Sequence, residues 1–435
     1  MTKSENIIVT KPTRTVNTTI QLTGSKSECN RALIIKALSL GLVKVDNISE
    51  AADAVKLLSV LKEEVTDQKI AAILADEEPE LVANRQLQTV DIGPAGTAMR
   101  FLTAYFTLQE GEVILTGSER MKQRPIGVLV DALRELGAQI NYEENEGFPP
   151  LRIAGPIEQK TGRIAIKGNI SSQYITALLL IASSLPQGLE LEIVGELTSK
   201  PYVEMTLAML EQCGINHTWT DNVISIAPQQ FKETNIWVEP DWSAASYWYS
   251  IAALSDEAEL FLPGLTAYSK QGDSAITEIM ANFGITSQFK DGGVHLSKSA
   301  KPFVNKLFDL KECPDLAQTV VVVCAALGHN VSFTGLETLK IKETDRIAAL
   351  QNELAKIGVK LNEDNEVYTL DCSSKFTPEH VVFETYEDHR MAMAFAPLAI
   401  LLPKIEFEDH KVVEKSYPDF WNDLEKAGFV LEVKG

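Results

Sequence analysis

Leu339-Lys340-Ile341-Lys342-Glu343-Thr344-Asp345-Arg346 sets five charges of both signs directly before an apolar stripe, Ile347, Leu350, Leu354 and Ile357. Steps of three, four and three predict one buried helix face, and Gly358 predicts its stop. The charges therefore fall at a helix N-terminus. Asp345 suits that end, where the backbone dipole is positive. Lys342 and Arg346 oppose it and point to a bound anion, with Glu343 beside them placed to exchange a proton.

Working outward, the arrangement recurs. Short polar clusters lead into apolar helices at Gly24-Ser25-Lys26-Ser27, Gly93-Pro94-Ala95-Gly96-Thr97, Gly168-Asn169-Ile170-Ser171-Ser172-Gln173, Pro240-Asp241-Trp242-Ser243, Pro314-Asp315 and Glu387-Asp388-His389-Arg390. Their first positions lie 69, 75, 72, 74 and 73 residues apart. A second helix closes on Gly137, Gly214, Gly284, Gly358 and Gly428, at intervals of 77, 70, 74 and 70. Alternating runs such as Leu189-x-Leu191-x-Ile193 read as strands between the helices. Six modules, each with two helices and several strands, predict an α/β fold of βαβ-type units. They divide three and three at Trp237-Val238-Glu239-Pro240, and a cleft between two halves is a usual place for substrate.

The 435 residues carry 40 basic and 60 acidic side chains, a net charge of -20, which argues against nucleic acid or an anionic membrane as partner. Basic residues nevertheless gather at the helix starts: Lys26, Arg31, Arg100, Arg120 to Arg124, Lys200, Lys270, Arg390 and Lys415. A local basic pocket in an acidic chain fits small anionic substrates. The first residues hold no apolar leader and no apolar run is long enough to span a membrane, so a cytoplasmic protein is expected. Five cysteines without a C-x-x-C pair indicate neither disulfides nor zinc, and no paired histidine spacing requires a metal. No cofactor is implied, since the Gly24 cluster is not a Walker A loop and no G-x-S-x-G elbow is present.

Singly, the clusters suggest local roles. Ser27 reads as a helix cap before Ala32 to Leu38, Asp315 as a cap and candidate base, and Pro125 as a first helical residue. Arg124 could clamp a carboxylate or phosphate through two hydrogen bonds. Ser171, Ser172, Gln173, Ser199 and Tyr202 offer hydroxyl, amide and phenol groups suited to a polyol or to phosphate oxygens.

Together, Gly24-Ser25-Lys26-Ser27, Ala95-Gly96-Thr97-Ala98-Met99-Arg100, Arg120-Met121-Lys122-Gln123-Arg124-Pro125, Ser171-Ser172-Gln173, Ser199-Lys200-Pro201-Tyr202, Lys342-Glu343-Thr344-Asp345-Arg346 and Asp388-His389-Arg390-Met391-Ala392 resemble the 5-enolpyruvylshikimate-3-phosphate synthase family along nearly the whole chain. The resemblance implies the two-domain enolpyruvyl transferase fold, an inside-out α/β barrel of six βαβαββ repeats. Three repeats belong to a first domain of residues 22–239 and three to a second of residues 1–21 plus 240–435, with the active site in the interdomain cleft. It implies a transferase of aromatic amino acid biosynthesis, a monomer acting on phosphoenolpyruvate and shikimate 3-phosphate. Catalytic roles fall by resemblance on Lys26, Asp315 and Glu343. Phosphoenolpyruvate falls to Lys26, Gly96, Arg124, Arg346, Arg390 and Lys415. Shikimate 3-phosphate falls to Lys26, Ser27, Arg31, Ser171, Ser172, Gln173, Ser199, Tyr202, Asp315 and Lys342. Pro94 and Thr338 stand where family members often carry Asn. Two alternatives are the related transferase acting on UDP-N-acetylglucosamine, whose reactive Cys near residue 120 has no counterpart in Gly117 to Arg124, and a non-catalytic anion-binding protein.

Overall fold

The computed structural model describes residues 5–62 and 87–434. Among them lie five four-stranded sheets and one two-stranded sheet, and the five share one pattern of parallel and antiparallel pairing, which three of them build from consecutive strands. Gln88–Asp91 pairs in parallel with Gly111–Thr116 across the helix Gly96–Phe106. After the helix Gly127–Leu136, the hairpin of Gln139–Tyr142 and Leu151–Gly155 returns, so that Leu151–Gly155 lies antiparallel to Gly111–Thr116. Parallel pairs need such a helical crossover, whereas the antiparallel hairpin needs only a short turn.

The two helices of a module differ in character. Those inside the parallel pair are apolar on all sides and buried almost throughout, as in Ser172–Ala182 and Ala317–Leu327. A helix of that kind belongs in a core. The second helices are amphipathic: Gly127–Leu136 buries Leu129, Val130, Ala132, Leu133 and Leu136. The strands alternate, with Leu189, Leu191 and Ile193 buried.

The chain forms two compact units. One holds the chain up to Ser25, Glu50–Ala52 and the chain from Glu239; the other holds Lys26–Ser49 and Asp53–Val238. In the first, Asn6–Thr10 lies antiparallel to both Ile405–Phe407 and Val430–Lys434, and Thr15–Thr19 pairs in parallel with Glu257–Pro263. In the second, Val43–Asp46 and Thr234–Trp237 form the two-stranded parallel sheet. The remainder of that module, residues 63–86, lies outside the described residues.

All five glycines expected to stop second helices adopt left-handed backbone, with φ of 117°, 86°, 83°, 75° and 84° at Gly137, Gly214, Gly284, Gly358 and Gly428. That conformation costs glycine least. Several caps differ from expectation. The first helix begins at Lys26 and runs to Leu38, so Ser27 lies in its first turn instead of at its cap. Gly127–Leu136 starts two residues after Pro125. Arg346–Ala355 gives way before Ile357 to tighter turns, Ile357 N–H to Leu354 O and Gly358 N–H to Ala355 O. Asp315 caps nothing: it sits in the tight turn Pro314–Leu316, and the following helix has no side-chain cap. All five cysteines are free thiols, four of them buried. No described helix is long and apolar enough to cross a membrane.

Candidate active site

In the unit that begins with the N-terminal strands, Asp345 caps the helix Arg346–Ala355 by accepting from Ile347 N–H and Ala348 N–H at 3.1 and 3.0 Å. Arg346, its first residue, is 1% exposed. Its guanidinium donates to three carboxylates: Asp388 at 2.7 Å, Asp315 at 3.0 Å and Glu343 at 3.0 Å. Asp388 also caps His389–Phe395, accepting from Arg390 N–H at 2.9 Å. Arg390 in turn reaches Asp315 at 3.0 Å, with the Ser243 and Tyr247 hydroxyls each at 3.4 Å. Lys342 lies 3.8 Å from Asp315, and Lys415 lies 3.1 Å from Glu343. Asp315, Lys342, Glu343, Arg346, Arg390 and Lys415, all singled out in the sequence, thus form one connected network.

Charge balance explains how a buried guanidinium is tolerated. Burial works against the Arg346 cation, but Asp388, Glu343 and Asp315 outweigh it and hold the proton more tightly than usual. Burial likewise pushes the Asp315 carboxyl up, yet Arg390, Lys342 and Arg346 overcome both that and Glu343, keeping it well below the ordinary carboxylate range. Asp315 is therefore ionised near neutral pH. Asp273 goes the other way: burial and then Asp315 raise it to about 6, against the pull of Arg390 and the Ser243 hydroxyl. The cations at this helix start are balanced by the chain's own carboxylates, so they do not by themselves demand a ligand. Part of the network still meets solvent, with the Lys342, Glu343 and Lys415 side chains 26%, 16% and 11% exposed.

In the other unit, Lys26 opens the helix Lys26–Leu38 and lies 3.5 Å from Asp53. Arg31 is buried between the rings of Phe101 and Tyr202. It donates to Thr206 Oγ1 at 2.8 Å, Ser27 O at 2.7 Å, Thr176 Oγ1 at 3.3 Å and Tyr202 O at 3.2 Å. Burial lowers its pKa to about 10, which leaves it charged. These bonds make Arg31 a brace for Ser27 and Tyr202, where the resemblance implies a direct contact with substrate.

Gly96 opens its helix with the Arg124 guanidinium close against it: a Cβ there would stand 2.5 Å from Arg124 Nη1, so a side chain would push that guanidinium aside. Arg100 and Tyr174 both donate to Pro125 O, at 2.9 and 2.6 Å, fixing the chain just after Arg124. Ser171 caps Ser172–Ala182 by accepting from Gln173 N–H, while Gln173 Nε2 donates to Thr97 Oγ1 at 3.2 Å. Gly96, Arg124 and Ser171 to Gln173 are thereby joined through Thr97 and Pro125. Ser199 precedes Lys200–Gln212 with φ of 55° and is 9% exposed. The helices Gly96–Phe106, Ser172–Ala182 and Lys200–Gln212 each present the positive end of the backbone dipole at their starts, which favours anions.

Sequence reasoning left Asp388, Asp273, Ser243, Tyr247 and Asp53 without roles. Asp388 stood inside a recognised motif, and Ser243 in a recurring cluster. Asp53 carried no local signal, because only the fold brings it to Lys26.

A family model described as EPSP synthase (3-phosphoshikimate 1-carboxyvinyltransferase) matches residues 10–424. The chain is 47% identical over 421 residues to the 3-phosphoshikimate 1-carboxyvinyltransferase of Bacteroides fragilis (strain YCH46), covering 96% of this chain and 97% of that one. It is 35% identical over 429 residues to the enzyme of the same name from Sulfurovum sp. (strain NBC37-1), covering 97% and 99%. The fold matches a solved EPSP synthase from Acinetobacter baumannii with a TM-score of 0.75, at 19% identity and with 99% and 100% of the two chains covered. With the enolpyruvyl transferase architecture and a match spanning nearly every module, this chain belongs to the EPSP synthase family.

Proposed function

We infer that this chain transfers the enolpyruvyl group of phosphoenolpyruvate to the 5-hydroxyl of shikimate 3-phosphate, giving 5-enolpyruvylshikimate 3-phosphate and phosphate. The observation that carries the reading is near-full-length identity of 47% to a named 3-phosphoshikimate 1-carboxyvinyltransferase. The six-residue network around Arg346 supports it, since both substrates carry several negative charges and need cations held in fixed geometry.

In this reading Lys26, Gly96, Arg124, Arg346, Arg390 and Lys415 serve phosphoenolpyruvate. Lys26, Ser27, Arg31, Ser171, Ser172, Gln173, Ser199, Tyr202, Asp315 and Lys342 serve shikimate 3-phosphate, and Arg31 also braces Ser27 and Tyr202. Carbon 3 of the enol takes a proton from Glu343 while the 5-hydroxyl oxygen attacks carbon 2 and gives its proton to Asp315. The resulting tetrahedral adduct loses a proton from carbon 3 and expels phosphate, and Lys26 assists these transfers. Arriving anions engage Arg390, Arg346 and Lys342 and so weaken their hold on the Asp315 charge. Its proton affinity then rises when a base is needed.

Turnover in deuterium oxide tests the sequence of steps. Addition followed by elimination predicts deuterium at carbon 3 of the enolpyruvyl product. Product formed without any deuterium there would exclude protonation of carbon 3.

A further inference from the structure

The helix that starts at Arg346 also carries a buried carboxylate that the reaction leaves unused. Glu353 lies seven residues after Arg346, two turns along the same face, and is 1% exposed. Its Oε1 accepts from the Tyr386 hydroxyl at 2.8 Å. Its Oε2 accepts from Glu384 N–H at 3.0 Å and from Lys356 Nζ at 2.7 Å. All three bonds are charge-assisted, and two of them grip the chain just before Asp388 and Arg390.

That stretch needs gripping. Asp388 N–H donates to Thr385 O at 2.9 Å, closing a turn whose central residues, Tyr386 and Glu387, have φ of 54° and 55°. Two consecutive left-handed positions define a turn that favours Asn and Gly, and a tyrosine there is strained by its Cβ. Such strain persists only where the surroundings hold it. Burial, together with Glu353, keeps the Tyr386 hydroxyl protonated, its pKa raised to about 12, so it remains a donor. The helix thus holds the turn at two points, Arg346 on Asp388 and Glu353 on Glu384 and Tyr386.

We propose that Glu353 is a positioning residue: by clamping the strained turn Thr385 to Asp388 it sets Asp388 and Arg390 against Arg346, and so presents two guanidinium groups in register to one anionic substrate. This rests on the proposed function, in which Arg346 and Arg390 serve phosphoenolpyruvate. Without the clamp the turn relaxes, Asp388 shifts on Arg346, and the pair of cations loses its fixed spacing.

Glu353→Gln and the milder Tyr386→Phe test this through titration of phosphoenolpyruvate in the presence of shikimate 3-phosphate, together with steady-state kinetics. Both variants are expected to weaken phosphoenolpyruvate binding and raise its KM, about tenfold for Glu353→Gln as one charge-assisted hydrogen bond is lost, with KM for shikimate 3-phosphate nearly unchanged. Glu387→Gly in the Glu353→Gln background removes strain from an exposed turn position and is expected to restore the affinity. Variants that melt earlier but bind phosphoenolpyruvate as the parent chain does would overturn the clamp and leave Glu353 a packing residue. A parent chain that binds phosphoenolpyruvate but does not turn over would sink the functional reading alone, since the comparison of affinities still decides the clamp. A parent chain that does neither overturns both.

Discussion

Glu343 sits between Lys415 and Arg346, held by both cations but still partly open to solvent. Glu343→Gln keeps its shape and removes the proton, so kcat should fall by about a hundredfold to ten-thousandfold while substrate dissociation constants change only a few-fold. Single-turnover kinetics with parallel binding titrations check this, and an unchanged kcat would remove Glu343 from proton transfer. Gly96→Ala would drive its methyl group into Arg124 and displace the guanidinium. The expected result is a raised KM for phosphoenolpyruvate in a chain that still folds, checked by kinetics alongside melting curves. Asp273 supplies a pH signature. Its folded value of about 6 exceeds the ordinary 3.8, so the native chain keeps a proton that the unfolded chain releases between these values. Its contribution to stability is full below about pH 4 and falls as pH rises to about 6. Asp273→Asn should therefore gain on the parent chain across that window, by on the order of 3 kcal/mol, checked by unfolding measured from pH 4 to 7. At this scale the cations were legible in the sequence because they recur before helices. Two carboxylate partners, Glu343 and Asp315, stood out with them, but the third did not, since Asp388 meets Arg346 across 42 residues and the contact exists only after folding.

The modules were legible as elements because two unrelated signals, polar clusters and helix-stop glycines, share one period. The left-handed backbone at all five glycines gives that second signal its physical basis. Caps were less legible, since a serine or aspartate near a helix start can occupy the first turn or serve a charge network instead. Ser27 does the former and Asp315 the latter. Asp345 does cap, accepting from two N–H groups, and its neighbour Arg346 depends on the helix start being fixed. Asp345→Ala should cost about 1 kcal/mol of stability. Urea unfolding checks it, and an unchanged midpoint would mean that the Arg346 ion pairs alone hold that helix end.

Across the whole molecule, the repeat revealed six modules but not how the chain ends share them. Asn6–Thr10 completes a sheet with strands more than 390 residues away, a pairing no local pattern can report. Composition pointed to small anions, because an acidic chain gathers Lys and Arg at helix starts, but the ion pairs of Arg346, Arg390 and Lys415 with Asp315, Glu343 and Asp388 give those cations a structural use as well. What those anions are came from similarity along the entire chain, with seven motifs in order carrying far more information than any one. The most direct measurement is phosphate release from phosphoenolpyruvate with each acceptor supplied in turn. Release that requires shikimate 3-phosphate and is absent with UDP-N-acetylglucosamine is the predicted result; no release with shikimate 3-phosphate would contradict the account.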